Sequence, residues 1–444
     1  MTLYAFPTEM ASEEQALELI EQVIARSEAE GVFVALASGE EALSRFCGNQ
    51  MSQNVNQERC SISITSSFGS RSATATVTSD DPSAIEAALR SCETLARIAP
   101  EDPEWMPLLE PQTYDDRQAA FDEETAACSP LQRGRLVQRV CRAAAAAGVD
   151  GAGTLATESR LRAVGNSRGL RTVGRSTTAS FGFTARTCGA SSWGERTAWN
   201  IGALNCDEVA EELIERARRA HTPRTVEPGL YPVILHPAAL AELLAWVGWN
   251  LDARAADEGR SFMSRPDGGT RLGEAMFSPL VHLERNAAHP LLQSAPFLPD
   301  GQPNRPLTLI REGVPERLHH SRYWAARKGC TPTGAFLPLV MAGSEASVAD
   351  LVSRTERGVL VHRAWYVRAI SPRELTVTGM TRDGTFWIED GQIAYPIHNL
   401  RFNQSLPRLL RDIDALGAAE RYGPRVVPAV RCSAFRFTSV TDSV

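Results

Sequence analysis

Lysine is almost absent from this chain of 444 residues: Lys328 is the only one, and the other 45 of its 46 basic residues are arginine. This scarcity limits the possible chemistry, because a Schiff-base mechanism or a phosphate-binding loop would have to use Lys328. That residue lies in an undistinguished Arg-Lys-Gly-Cys run, so neither chemistry is expected. We attribute the bias to genome composition rather than to function.

Long hydrophobic runs and a leader pattern are also missing. No stretch approaches the ~20 consecutive apolar residues that a membrane helix needs. The opening segment, MTLYAFPTEMASEE, lacks the basic-then-apolar order of a secretory signal. The sequence therefore predicts a cytoplasmic protein that does not associate with a membrane.

The cysteines and charges exclude further classes of protein. The nine cysteines are odd in number and include no C-x-x-C pair, which favours free buried thiols over a disulfide framework. The formal charge is −7, and the basic residues are scattered among acidic ones instead of forming a patch. We therefore expect no direct contact with nucleic acid.

What the chain does have is enough apolar content, 43% of its residues, for two globular domains with a core each. The segment 221–229, which contains two prolines and ends in Gly229, is the best candidate linker. We predict an α+β fold of two domains. Residues 1–222 form an N-terminal α/β-type domain with a mixed sheet and helices. Residues 229–444 form a strand-rich C-terminal domain around one long central helix over 237–257.

Local patterns place the first elements. Ser12 and Gln15 form a capping box that starts a helix, which Gly31 can close. Short strands are predicted at 32–37, 60–65 and 73–77. A further helix is predicted from Pro82 to about Arg97, and a hairpin turn at 166–169.

The usual motifs of a hydrolase are absent. None of the eight histidines pairs with another at the helical spacing that zinc peptidases use, and His319 and His320 are adjacent and would point in different directions. There is no Gly-x-Ser-x-Gly elbow and no Ser-x-x-Lys pair. Asp252 with Asp257 or Glu258 could form an acid/base couple, but such pairs on a helix more often form a solvated face. Taken alone, the residues indicate no enzyme.

Several short blocks nevertheless follow one another in a distinctive order. Residues 96–103 read Ala-Arg-Ile-Ala-Pro-Glu-Asp-Pro, and Asn166-Ser167-x-Gly169 follows. Further on come Pro228-Gly229-x-Tyr231-x-Val233-Ile234-Leu235-x-Pro237 and, after the central helix, Gly259-Arg260-Ser261-Phe262. Each block is weak by itself, but the ordered set over nearly the whole chain resembles the TldD/TldE (PmbA) family of peptidase subunits.

The resemblance also implies a branch of that family. The zinc-binding branch carries a His-Glu-x-x-x-His motif on its central helix; counting back from Ser261, the corresponding positions here hold Leu244, Ala245 and Trp249. No cysteine lies between Leu416 and Gly423, where that branch has another ligand. The resemblance therefore implies a metal-free, TldE-like chain that has no cofactor of its own, with zinc in a partner subunit.

The helix pattern bears on the same positions. Leucine or valine at 240, 243, 244, 247 and 251 forms an apolar stripe, which favours a core position for Leu244 and Ala245 and leaves Trp249 balanced between core and cleft. We expect an extended segment around 259–263 to add to a bound peptide through backbone hydrogen bonds. The candidates for the substrate cleft are Trp249, Asp252, Gly259, Arg260, Ser261 and Phe262.

Three functions remain open at this point. In the first, the chain pairs with a TldD-like zinc-bearing subunit in a heterodimeric metallopeptidase for unfolded or modified peptides, and is inactive alone. In the second, that pair serves a specialised biosynthetic pathway that cleaves peptides or small-molecule amides. In the third, the chain is a non-catalytic homodimer that binds peptides.

Overall fold

The computed structural model describes residues 12–115 and 119–441, so most of the opening segment considered above lies outside the described residues. No helix within the described ranges is long and apolar enough to span a bilayer. The helices are α1 (Glu13–Arg26), α2 (Pro82–Ile98), α3 (Glu123–Ala126), α4 (Pro130–Ala146), α5 (Cys206–Arg219), α6 (Pro237–Asn250), α7 (Ala253–Asp257), α8 (Arg322–Lys328), α9 (Val348–Ser353) and α10 (Leu406–Arg411). The strands are β1 (Gly31–Cys47), β2 (Gln50–Phe68), β3 (Arg71–Val77), β4 (Asp150–Asn166), β5 (Arg171–Thr187), β6 (Ala190–Ala198), β7 (Leu230–Leu235), β8 (Leu283–Arg285), β9 (Leu307–Arg311), β10 (Val314–Pro315), β11 (Leu339–Met341), β12 (Arg357–Ser371), β13 (Thr376–Glu389), β14 (Gln392–Pro396), β15 (Leu400–Ser405), β16 (Ile413–Tyr422) and β17 (Arg425–Val440).

The α+β class is confirmed, but the predicted mixed sheet of the N-terminal half is wrong. The strands there form a six-stranded sheet in the order β3-β2-β1-β4-β5-β6, and every neighbouring pair runs antiparallel. The connections explain this arrangement. Gly48 and Asn49 join β1 to β2 with positive φ angles, as a tight hairpin requires. Parallel neighbours would need a crossover of about a dozen residues or more.

The first two strands are much longer than the sequence predicted. Instead of 32–37 and 60–65, they cover residues 31–47 and 50–68. The predicted stretches are those in which alternate side chains are buried, whereas residues 50–59 are exposed and show no apolar alternation. Pairing with β1 holds that polar stretch in a strand. The helix predicted at 82–97 and the hairpin turn at 166–169 are confirmed, and α1 ends at Arg26, before Gly31.

Four helices cover one face of the six-stranded sheet. α1 and α2 pack over one end, in a core with Leu36 and Ile62, and α4 and α5 pack over the other end, in a core with Phe46 and Phe181. Leu36 and Phe46 are an even number of residues apart in β1, so their side chains lie on the same face. This face supplies the apolar cores of the N-terminal half.

The C-terminal strands belong to an eleven-stranded sheet, of which five strands close into a ring. β7 pairs with both β12 and β17, and the order β7-β12-β13-β15-β17 completes the ring. Two pairs in this sheet are parallel, β7 with β12 and β11 with β17. Closure removes free edges from the ring strands and gives α6 a continuous surface to pack on.

The central helix begins at Pro237 as predicted but ends at Asn250, so the predicted single helix over 237–257 is wrong. Leu251 leaves the helical conformation with a ψ of 53°. Asp252 then caps the separate helix α7 by accepting a hydrogen bond from the Ala255 amide at 2.7 Å. An aspartate at this position satisfies an amide of the new first turn, which favours the break.

A largely buried ion pair joins the two sheets. Arg363 of β12 donates to Asp383 of β13 at 2.6 Å, and Ser191 of β6 donates to the same carboxylate at 2.7 Å. The Arg363 guanidinium carbon lies 3.8 Å from the ring centroid of Trp193 and 4.4 Å from that of Trp365. These contacts attach the edge of the N-terminal sheet to the C-terminal ring.

The proposed domain division at residues 222 and 229 falls between α5 and β7 and stays a prediction.

We predict that Asp383→Asn lowers the free energy of unfolding by about 2–3 kcal/mol, because Arg363 then loses its counter-charge in a largely buried place. Asparagine keeps the shape and tolerates the φ of 55° at this position. Urea unfolding measures the change. Asp414→Asn is the matched control: the Asp414 side chain that pairs with Arg431 is 42% exposed, so the loss should stay below about 1 kcal/mol. Equal losses in both variants would contradict the role given to Asp383.

Candidate functional site

The helix α6 is held in place along most of its length. Leu240, Leu243, Leu244 and Val247 are each at most 1% exposed and belong to the core of the C-terminal half. At its start, the amide of His236 donates to the carbonyl of Val361 in β12 at 2.9 Å. The face of α6 that does not pack on the core is therefore fixed in direction, since the helix cannot rotate without exposing its leucines.

A cavity of about 250 Å³ opens beside the C-terminal half of α6. Two large apolar side chains on its wall are exposed, Trp249 at 61% and Leu337 at 40%, whereas Phe336 and Leu339 are buried. The first two form the rim and the second two the floor. Its complete lining is Ala245, Gly248, Trp249, His319, Ala335, Phe336, Leu337, Leu339 and Arg425. The cleft of about 570 Å³ beside α5 is larger, but no residue of α6 lines it.

One polar group of the wall is part of a hydrogen-bonded pair. The Nδ1 atom of His319 lies 3.3 Å from a carboxylate oxygen of Asp252, and the ring of His319 meets the ring of Phe336 edge-on. Backbone hydrogen bonds from His319 to Leu251 and from Ala253 to His319 tie this segment to the end of α6. The hydrogen bond from His319, together with that from the Ala255 amide, holds the pKa of Asp252 below its ordinary value.

The second polar group is Arg425, the first residue of β17. Burial lowers the pKa of its guanidinium, and the Coulombic attraction of Glu242 on α6 raises it. Arg425 reaches the cavity because β17 pairs in parallel with β11, which places Arg425 opposite Leu339. The wall thus combines a mostly apolar surface with one cation and one imidazole.

The three predicted motif positions have different surroundings in the structure. Leu244 is 1% exposed and belongs to the core, whereas Ala245 and Trp249 line the cavity. Trp249 lies against Trp246 with ring centroids 5.4 Å apart. Two of the three positions therefore belong to the wall of one cavity. A role for Trp249 in holding a substrate stays a prediction.

The other predicted cleft residues do not gather at this cavity. Asp252 contacts it only through His319, and Gly259 and Arg260 are exposed beyond α7. Ser261 and Phe262 are buried, at 3% and 5% exposure. Residues 261–263 form a bend and a turn, not an extended segment. The amides of four residues already donate to neighbouring groups: Arg260, Ser261, Met263 and Ser264. The predicted extended conformation of this segment is therefore wrong, and the addition of a peptide to it stays a prediction.

The side chains around α6 do not fit a zinc ion. Leucine, alanine and tryptophan at the motif positions supply no donor atom that zinc accepts. Asp252 and His319 supply two donors, fewer than the three protein ligands of a catalytic zinc site. No group of three or more histidine, cysteine or acidic side chains in residues 12–115 and 119–441 is arranged to hold a metal.

Sequence reasoning missed most of the cavity wall. These residues lie 69 or more positions after the end of α6, and no motif marks them: His319, Phe336, Leu337, Leu339 and Arg425. The sequence gives no reason to select His319 as a site residue, because it is adjacent to His320 and the two side chains are expected to point in different directions. Only the pairing of β11 with β17 and the bond of His319 to the end of α6 bring these residues together.

Comparisons of sequence place the C-terminal half among known domains. Residues 228–439 match the PmbA/TldA metallopeptidase C-terminal domain. A metalloprotease of Synechocystis sp. is 26% identical in an alignment of 228 positions that covers 48% of this chain and 47% of that protein. The match thus spans about half the length of this curated relative.

Solved structures share the fold over almost the whole chain. TldE from Thermococcus kodakarensis has a TM-score of 0.85 at 18% identity, over 97% of this chain and 100% of that chain. A protein from Thermotoga maritima that is named as a modulator of a DNA gyrase has a TM-score of 0.82 at 18% identity, over 94% of this chain and 99% of that chain. A protein of similar name from Bacteroides thetaiotaomicron gives 0.83 at 17% identity, over 97% and 100%. At these identities the similarity establishes the fold alone.

We predict that Asp252→Ala lowers the free energy of unfolding by about 1 kcal/mol at pH 7, because α7 loses its cap and His319 loses its partner. Asp252→Asn should lose less, since asparagine caps a helix about as well as aspartate.

The pH dependence of this effect follows from the lowered pKa of Asp252. The ionised side chain stabilises the fold fully above the unfolded pKa of about 3.9, and this contribution is lost as the pH falls through the lower folded-state pKa. The difference between wild type and Asp252→Asn in urea unfolding should therefore shrink between pH 7 and about pH 3. A difference that grows on acidification would contradict this account.

Proposed function

Because the chain belongs to the TldD/TldE (PmbA) family through its C-terminal half, we propose that it is the metal-free subunit of a cytoplasmic peptidase. In this proposal a TldD-like partner holds the catalytic zinc, and the two chains form a heterodimer that acts on unfolded or modified peptides. The present chain has no cofactor of its own and is inactive alone. Its task is to bind and orient the peptide.

One observation carries the proposal: two of the three motif positions of α6 line an apolar cavity, where the resemblance implies metal ligands in the zinc-binding branch. Ala245 and Trp249 face this cavity, and Leu244 is packed in the core. A methyl group and an indole cannot hold an ion, but they can contact an apolar side chain of a peptide. Full burial of a leucine- or phenylalanine-sized side chain contributes about 1.5–3 kcal/mol to binding.

The wall of the cavity also suits a substrate of variable sequence. Trp249 and Leu337 at the rim expose apolar surface that a passing chain can cover. The Nδ1 atom of His319 is engaged by Asp252, and its other ring nitrogen has no partner among the residues that the structure describes, so it can form a hydrogen bond with the backbone of a peptide. A cavity that binds a peptide through apolar contacts and a hydrogen bond to its backbone selects the shape of the peptide more than its amino-acid sequence.

Co-expression with the product of the neighbouring gene tests the partnership. We expect the isolated chain to contain no stoichiometric zinc and to leave unstructured peptides intact. The co-purified pair should contain one zinc per heterodimer and hydrolyse them. Metal analysis and peptide mass spectrometry measure both properties. The proposal is refuted if the isolated chain carries stoichiometric zinc and cleaves peptides. It is also refuted if the chain forms a stable homodimer that does not bind the protein encoded by the neighbouring gene.

A second prediction concerns the cavity itself. Gly248→Leu should fill it, because a Cβ at Gly248 would lie 3.5 Å from Leu339 and a longer side chain extends into the cavity. Peptide binding by the pair should weaken by about tenfold or more, which corresponds to the loss of about 1.4 kcal/mol or more of apolar contact.

Gly134→Leu is the matched control for this substitution. Gly134 is also a helical glycine, in α4, and a Cβ there would meet a single atom, the Cε of Met51, at 3.6 Å. This variant should bind peptide as wild type does. Unchanged calorimetric binding by Gly248→Leu would show that the cavity does not take part in peptide binding.

A further inference from the structure

Arg425 is partly buried, and its side chain makes no hydrogen bond or ion pair within the described part of the chain. Its Nε atom is buried and unpaired. Arg133 and Arg171 also have an unpaired Nε, but their terminal nitrogens donate hydrogen bonds to carbonyl groups. Arg175 stacks on the ring of Phe121. The Nε atom is enclosed, so the two terminal nitrogens of the Arg425 guanidinium, which have no partner among the described residues, are the donors available to a ligand.

An unpaired guanidinium in a partly buried place lowers the stability of the fold. Desolvation of a charge costs several kcal/mol in general, which a partner normally offsets. Burial accordingly lowers the pKa of Arg425. Glu242 acts on Arg425 only by Coulombic attraction and forms no ion pair with it; its own side chain is exposed on α6. A ligand with a negative charge would offset this cost.

The surroundings of Arg425 specify which anion fits. The rest of the wall is mainly apolar, with Ala245, Trp249, Phe336, Leu337 and Leu339 around a space of about 250 Å³. A phosphate group could pair with Arg425 but would leave the apolar wall without a contact. A carboxylate attached to an apolar side chain would pair with Arg425 and also cover the apolar wall. Arginine binds carboxylates through two parallel N–H···O hydrogen bonds, which also fixes their orientation.

A free peptide C-terminus has this combination of groups, since its last residue carries an α-carboxylate next to its side chain. We propose that the cavity binds the C-terminal residue of a peptide, with Arg425 paired to the free carboxylate and the apolar wall around the side chain. This inference rests on the proposed function, because it assumes that the cavity receives a peptide. It adds a substrate class: peptides with an apolar C-terminal residue.

Calorimetry with the full chain tests this binding mode. The ligands are an N-acetylated hexapeptide that ends in leucine, the same peptide as its C-terminal amide, and N-acetyl-leucine. We expect the free acid to bind at least tenfold more tightly than the amide, because only the acid pairs with the guanidinium. The hexapeptide should also bind more tightly than N-acetyl-leucine, since it has further backbone groups to contact.

Substitution of the arginine separates binding from folding. Arg425→Gln should remove the preference for the acid and leave the melting temperature equal or higher, because it deletes a charge that has no partner in the fold. Arg421→Gln is the matched control. Arg421 donates to the carbonyls of Gly423 and Leu291, so this variant should melt at a lower temperature and keep the preference for the acid.

Three outcomes would overturn the inference. They are equal affinity for the acid and the amide, a preference that survives in Arg425→Gln, and equal affinity for N-acetyl-leucine and the hexapeptide, which would indicate a small carboxylic acid as ligand. The proposed function is measured on a different sample, through the zinc content and activity of the co-purified pair. If the co-purified pair hydrolyses peptides but the acid and the amide bind equally, the proposed function is supported and the binding of a C-terminal residue is refuted.

Discussion

The packing of α6 against the closed ring of strands determines the rest of the C-terminal half. The leucines at 240, 243 and 244 and Val247 are buried, so the helix has one permitted rotation about its axis. That rotation turns Ala245, Gly248 and Trp249 toward the segments that carry His319 and Arg425. The composition of the cavity is therefore a consequence of core packing. Any change that rotates α6 would disperse the wall and expose leucine side chains to water.

The same constraint explains the character of the site. Ala245 and Trp249 supply no donor atom to a metal ion, and they line a concave surface beside the ring. That surface is mainly apolar and contains one cation, Arg425, whose side chain has no partner within the described ranges.

Local signals in the sequence were sufficient for several elements. The capping box at Ser12, the Asp81-Pro82 start of α2 and the hairpin at 166–169 depend on residues a few positions apart, and the structure has all three. The length of β2 and the end of α6 were missed. The polar stretch 50–59 is a strand only because β1 pairs with it, and α6 stops at Asn250 because Asp252 caps a new helix and the chain bonds to His319.

The sequence by itself determined the α+β class, the start of the central helix and the absence of metal donors at Leu244, Ala245 and Trp249, because each depends on residue type and short-range spacing. Only the tertiary structure decided that Ser261 and Phe262 are buried while Ala245 and Trp249 line a cavity. It also decided that Arg425, 176 residues after Trp249 in the numbering, lines that cavity with no side-chain partner among the described residues. Contacts between residues so far apart are set by strand pairing, which local sequence patterns do not specify.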